Sequence, residues 1–449
     1  MKIPSIQLMI SKGMGYLKNP VSRNVMLIGV LTMIVKGFGF FKETVIASTY
    51  GLSEILDTFY IAVLIPNFIN NVFLSAIGTV FIPNYVRESK VSNKLGAFQA
   101  NGFAITLGIS LFFTVVSVLV TDVYVEFFFK GHTDIYYQLI KSQFYYVVPC
   151  IVLWGISSLI SKLLHLNNEF VIPVMSGILI PIAILLAILG LKDSAPELAL
   201  ALGTLIGSFL QLLVLLVFAT RKKILILGVP NFKSENVKLM FAQLPAKVSS
   251  GFLTGLLPVT DQFFAAQLAI GSIAALNFGL KVPALLTTIA IVAINSVLLP
   301  FFSKQAVQSE KLAFQSLFKI LRHLFVISLM ATIVFIALSN PLVKILFERN
   351  SFTAESTEIV SKVQTIFLIY VPFTISGMVL VNFLTSINKN NFMALVSLIG
   401  ASLNVVLDII FMKLYGVYGI AICTTCVVII RFLILLRYTI RLNNRVNRE

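Results

Sequence analysis

Apolar stretches long enough to cross a lipid bilayer recur along the whole chain, at 24–49, 56–85, 97–121, 138–162, 169–191, 196–220, 239–268, 272–302, 314–338, 360–386, 391–412 and 417–437. A spanning helix needs about 20 mostly apolar residues. In lipid its backbone must satisfy its own hydrogen bonds, which a helix does and an open strand does not. About twelve such stretches therefore predict an all-α polytopic membrane protein. Composition agrees, with 58% of residues hydrophobic and only 12% charged. A soluble domain carries roughly a quarter charged residues.

Basic residues fall in alternate loops. They are Lys2, Lys12, Lys18 and Arg23 before the first span, Arg87, Lys90 and Lys94 after the second, and Arg221, Lys222, Lys223, Lys233 and Lys238 after the sixth. Lys304, Lys311, Lys319 and Arg322 follow the eighth, and Arg437, Arg441, Arg445 and Arg448 the twelfth. The intervening loops, such as "KDSAPE" (192–197) and "AIGSI" (269–273), are poor in lysine and arginine. This asymmetry predicts a multi-pass protein of a cytoplasmic membrane with both termini cytoplasmic. The net charge of +16 is thus an orientation signal, and no nucleic-acid partner is expected. No cleavable signal peptide is expected either, because the basic N-terminus runs into the first span without a small-residue cleavage site.

The chain repeats itself. "IPNFINNVFLSAIGTVFIPNYV" begins at Ile65 and "VPALLTTIAIVAINSVLLPFFS" at Val282. Pro66 and Pro83 lie 17 residues apart, as do Pro283 and Pro300, each pair in the second span of its half. An even number of spans per half gives both halves one orientation, an arrangement used by alternating-access transporters. The expected organisation is an N-lobe (1–220), a cytoplasmic linker (221–238) and a C-lobe (239–449): two pseudo-symmetric six-helix lobes around a central cavity.

Charges inside the spans carry the functional reading. An ionisable residue at bilayer depth costs about 2.5–3.5 kcal/mol on insertion scales and usually faces a cavity or a partner. Lys36, Lys42 and Glu43 lie within eight positions of the first span, and Asp57 opens the second. Lys247 and Asp261 lie in the seventh span, Lys281 in the eighth and Asp408 in the eleventh. Lys36 and Glu43 share a helix face, within about 20 degrees. Gly37 and Gly39 thin the helix beside them for close approach by another helix or a ligand. Buried cations exceed plausible local anions in the first and eighth spans, and that excess asks for an anionic ligand. The bland alternative is a set of structural ion pairs, Lys36 with Glu43 and Lys42 with Asp57. Asp261 and Asp408 are candidates for a coupling ion or a gate.

Other chemistry is not indicated. His132, His165 and His323 are scattered without metal spacing. There is no phosphate-binding glycine loop and no catalytic constellation, so the chain is expected not to be an enzyme and to need no cofactor. Transport would draw on the membrane potential or a sodium or proton gradient. Cys423 and Cys426 form a C-x-x-C inside an apolar run, and with Cys150 they read as small residues packing between helices.

Three stretches resemble one family, and a fourth resembles its relatives. "GFGFFKETVIASTYGLSEILDTFYIAVLIPNFINNVFLSAIGTVFIPNYVRESK" (37–90) resembles the first two helices of the lipid II flippases called MurJ or MviN, and "LNFGLKVPALLTTIAIVAINSVLLPFFSKQ" (276–305) is similar to their eighth helix. "ILFERNSFTAESTEIV" (345–360) resembles that family's loop before helix ten, and "NVVLDIIFMKLYGVYGIAICT" (404–424) a pattern of related polysaccharide flippases. The resemblance implies the multidrug/oligosaccharidyl-lipid/polysaccharide exporter superfamily. It implies that Lys36, Lys42, Asp57 and Lys281 line the cavity, with Glu43 beside them, and that the substrate is an undecaprenyl-pyrophosphate-linked oligosaccharide whose diphosphate meets the lysines. Two departures, lysine where the family has arginine and about twelve spans rather than fourteen, favour a relative that moves another polysaccharide repeat unit. The expected function is therefore a flippase of a lipid-linked saccharide for peptidoglycan or polysaccharide biosynthesis in a bacterial cytoplasmic membrane. It would act as a monomer beside glycan-assembly proteins. The alternative is a cation-coupled multidrug exporter of the same fold, which would bind cationic amphiphiles in an acidic cavity.

Overall fold

A computed structural model describes residues 20–91, 95–129 and 131–448. Lys2, Lys12, Lys18 and Lys94, four of the orientation-setting residues, lie outside them. Every regular element among the described residues is helical. In chain order these are α1 (Pro20–Tyr50), α2 (Glu54–Ile69), a π-helical turn (Asn70–Leu74), α3 (Ser75–Val91), α4 (Leu95–Phe128), α5 (Asp134–Val147), α6 (Cys150–Leu166), α7 (Val171–Ser176) and α8 (Leu179–Leu191). They continue with α9 (Pro196–Arg221), α10 (Glu235–Ala265), α11 (Ser272–Gln308), α12 (Glu310–Ala337), α13 (Ser339–Phe347), α14 (Ala354–Ser386), α15 (Asn390–Tyr415) and α16 (Val417–Val446).

Joined across their interruptions, these helices follow the expected spans. Helices α2 and α3 make the second, α5 and α6 the fourth, α7 and α8 the fifth. Ten stretches among the described residues are long and apolar enough to cross a membrane. The other two rods, α1 and α10, have 31 residues each and carry the intramembrane charges of the first and seventh spans. The interruptions have local causes. Pro149 lacks an N–H and stands at the break between α5 and α6. The π turn follows Pro66, whose missing donor already weakens the helical ladder. Pro283 and Pro300 sit inside α11 without interrupting it. Helix α16 outruns its apolar run because one face keeps packing: Leu435 and Thr439 are buried, and Tyr438 stacks on Phe392 at 3.7 Å.

The chain forms two compact units. The first takes the residues up to Glu43 with Ile65–Val120 and Ser142–Lys247; the second takes Thr44–Leu64, Thr121–Lys141 and Val248–Glu449. In the first unit α9 lies along α8 at close range. A Cβ on Gly203 would stand 2.5 Å from the Ile184 Cα, and one on Gly207 2.6 Å from the Ile180 Cα. The four-residue spacing of these glycines lets two backbones touch, which dispersion rewards in lipid. Gly207→Val is therefore expected to cost about 1–3 kcal/mol through overpacking, read as a lower midpoint of thermal unfolding in detergent. Gly190→Ala, whose Cβ would meet nothing within 4 Å, should not lower that midpoint. In the second unit α14 is the central helix and packs along α11, α12 and α16. Phe383 of α14 meets Phe302 and Phe314 edge-on, with ring centroids 5.4 and 4.8 Å away.

Candidate functional site

Helix α1 presents its charges unevenly. Lys36 is exposed at span depth, and among the described residues no carboxylate pairs with it. Around it α1 is open, since a Cβ on Gly37 or Gly39 would meet nothing within 4 Å. Lys42 pairs with its neighbour Glu43, Nζ to Oε1 at 2.7 Å, and Glu43 is buried. The ion pairs envisaged from sequence, Lys36 with Glu43 and Lys42 with Asp57, are thus replaced by one between adjacent residues. A lysine side chain is long enough to fold back along the helix to its neighbour.

The same unit carries a second polar feature, an uncharged one. Asn67, Asn71, Ser75 and Thr79 recur at four-residue steps along α2 and α3, and all are exposed. Four polar side chains on one helical face at span depth make a face suited to water rather than lipid. The signal was in the sequence as a polar i, i+4 stripe. The π turn Asn70–Leu74 lies in the middle of it, and such turns are frequent at functional sites.

Asp57 does not pair with a lysine. Its Oδ2 accepts from the Gly271 N–H at 2.6 Å and its Oδ1 from the Ala274 N–H at 2.8 Å. The carboxylate therefore caps the N-terminus of α11, where Gly271 has no side chain to do so. Further contacts of the second unit gather at this lysine-poor end. The Ser48 carbonyl accepts from the Ser351 N–H at 3.0 Å, and Asn350 Nδ2 donates to Ser48 Oγ at 2.8 Å. Gly51, at φ 58, turns so closely under Ser351 that a Cβ would run into its carbonyl oxygen. His132 Nε2 lies 2.7 Å from the Ala266 carbonyl. Two of the family-like stretches, around Gly51 and around Ser351, thus meet as one lock.

A second polar cluster lies inside the second unit. Asp261 of α10 accepts from Asn404 Nδ2 at 3.1 Å and from Thr424 Oγ1 at 2.8 Å. Asp408, one turn beyond Asn404 on α15, is fully buried and within interacting reach of Asp261. Among the described residues both of its carboxylate oxygens are buried without a well-formed hydrogen bond, with the Cys423 thiol beside them. Cys423 adds its thiol, which donates to the Asn404 carbonyl at 3.3 Å. Two facing carboxylates with an amide and a hydroxyl around them form an oxygen-rich nest. The oxygens of Asp408 fit a small cation or a shared proton, held between Asp261 and Asp408 beside the Thr424 hydroxyl, while Asn404 turns its NH2 to Asp261 and braces that carboxylate. Of the other candidates, Lys247 is exposed on α10, and Lys281 is half-buried on α11 two residues before Pro283.

The fold is similar to that of solved helical membrane proteins of two kinds. A multidrug resistance MATE family transporter of the MOP superfamily, in an inward-facing conformation, superposes with a TM-score of 0.77 at 11% identity over 94% of this chain and 99% of the other. A lipid II flippase MurJ in an inward closed conformation superposes with a TM-score of 0.80 at 22% identity, over 92% of this chain and 87% of the other. The sequence model of the lipid II flippase MurJ family matches residues 46–445, and the chain belongs to that family, whose members are transporters and not enzymes. A probable lipid II flippase MurJ of Buchnera aphidicola (subsp. Schizaphis graminum) is 25% identical over 345 residues, 74% of this chain and 66% of the relative's length.

Proposed function

We propose that the chain flips an undecaprenyl-pyrophosphate-linked saccharide, a lipid II-like precursor or another polysaccharide repeat unit, across a bacterial cytoplasmic membrane by alternating access. In this reading residues 1–220 and 239–449 act as the two lobes joined by 221–238. The basic loops and both termini face the cytoplasm. The observation that carries it is Lys36, a cation at span depth on an open helix face, with no carboxylate paired to it among the described residues. A diphosphate is the ligand such an ammonium lacks. Lys42 and Lys281 add positive charge to the route, Glu43 moderates Lys42, and the Asn67–Thr79 stripe offers hydrogen bonds to sugar hydroxyls. Asp57 serves the lysine-poor end as a latch, and the Asp261–Asp408 nest takes a sodium ion or a proton that couples transport to the gradient. The shared fold with a drug exporter favours that rival less, because cationic cargo would meet an uncompensated lysine.

The test is transport of a fluorescent lipid-linked diphosphate saccharide in proteoliposomes. Lys36→Ala and Lys281→Ala are expected to lower uptake about 10- to 100-fold, the loss of one charge-assisted contact each. Lys311→Ala, on the exposed first turn of α12, should leave it unchanged. Wild-type rates in both lysine variants would end the proposal.

A further inference from the structure

Between α9 and α10 the chain runs non-helically through "KKILILGVPNFKS" (222–234), and it is held in place. Gln99 of α4, itself fully buried, donates from Nε2 to the Ile224 carbonyl at 2.9 Å and accepts at Oε1 from the Ile226 N–H at 2.9 Å. The Gly228 N–H donates to the Gly96 carbonyl at 2.9 Å, and Asn101 Nδ2 to the Asn231 carbonyl at 3.0 Å. Four points of the segment are thus fastened to the first turns of one spanning helix. A loop so constrained would be expected to turn its apolar side chains inward. Only Ile224 is buried; Leu227 is 59% exposed, Val229 84%, and Ile226 and Phe232 about half. Arg221, Lys222, Lys223, Lys233 and Lys238 surround this strip, and of these Lys222 pairs with Glu169.

We propose that 224–232 is an interfacial anchor that inserts Ile226, Leu227, Val229 and Phe232 into a leaflet rich in anionic phospholipid. Both ends of the segment continue into spanning helices, so the apolar phase within its reach is the bilayer boundary itself. Exposed apolar side chains flanked by lysines are what binding to such a boundary requires: apolar burial for depth, and charge for anionic headgroups. The anchor fastens the start of α4 and the approach to α10 to the membrane plane. It also gives the linker between the two halves a preference for lipid composition. This inference does not depend on which substrate the protein carries.

The test uses Val229→Cys in nanodiscs and a charged, membrane-impermeant maleimide, with Asn447→Cys as the water-exposed reference. The native Cys150 and Cys423 are buried and Cys426 is half-buried. In discs of phosphatidylcholine with phosphatidylglycerol, the thiol at 229 is expected to react about tenfold slower than that at 447, a ratio within the range expected for several lysines near an anionic surface. In discs of phosphatidylcholine alone, or with Lys222, Lys223, Lys233 and Lys238 changed to Gln, the two rates should converge. Equal rates in the anionic discs would overturn the proposal. So would protection indifferent to lipid charge, or protection found in native membrane vesicles but not in discs, which would assign the strip to a protein partner.

Discussion

Asp57→Ala is expected to destabilise the protein by about 2–6 kcal/mol, the cost of leaving two buried backbone donors unpaired at about 1–3 kcal/mol each. The carboxylate is 2% exposed and spends one oxygen on each of two backbone N–H groups at the start of α11. The two bonds are short, and the helix N-terminus adds its own partial positive charge beside the carboxyl group. Alanine would leave both donors buried and unpaired and open a small cavity beside them. Asp57→Asn is expected to fall between the two. Its amide oxygen can still accept from one N–H, while its NH2 faces the other. The reading is twofold: the midpoint of thermal unfolding, and hydrogen exchange at the Gly271 and Ala274 amides, which should accelerate in both variants and most in alanine. Unchanged exchange and an unchanged midpoint in Asp57→Ala would mean that this capping does not hold the lysine-poor end. Because Asp57 comes from the first half of the chain and α11 from the second, the same loss should reduce transport.

The spans were legible because lipid enforces a single rule, that backbone groups be satisfied within each segment. The apolar runs could hardly become anything but helices. Their ends were less legible, since α16 continues past Arg437 on the strength of one buried face, which is a packing property and not a hydropathy one. Span-depth charges were equally visible, as their cost marks them. Their partners were not. Nothing along the sequence distinguishes a carboxylate that meets a lysine from one that caps a distant helix, as Asp57 does across 214 positions. Nor does it show that Asp261 and Asp408, 147 positions apart, face each other. Uncharged polar side chains matter here as well. The Asn67–Thr79 stripe and the buried Gln99 carry no charge, yet the first makes a polar helix face and the second holds the 222–234 segment in place. The segment 222–234 read as a linker from composition and is a fastened one in three dimensions, because side-chain amides supply the hydrogen bonds that a helix or strand would otherwise give.

Asp408→Asn should abolish the protein's stability response to sodium. In the wild-type protein, added sodium is expected to raise the unfolding midpoint, by up to about 2.7 kcal/mol of stabilisation when sodium exceeds its dissociation constant a hundredfold. Choline at equal ionic strength should not. The cause lies in the donor set: two carboxylates face each other, Asn404 and Thr424 satisfy Asp261, and among the described residues both oxygens of Asp408 stand without a well-formed hydrogen bond. A cation relieves both the repulsion and the unmet acceptors. Asparagine at 408 removes one charge and supplies its own N–H donors to Asp261, so it should raise stability in the absence of sodium while abolishing the increment that sodium brings. A merely structural pair predicts the opposite, since deleting a member of a settled buried network costs stability. Protons compete for the same oxygens, so the sodium increment in the wild type should shrink as the pH falls. If Asp408→Asn is less stable than the wild type without sodium and still gains from it, the nest holds no ion. Coupling must then be sought in the membrane potential acting on the lysines of α1 and α11.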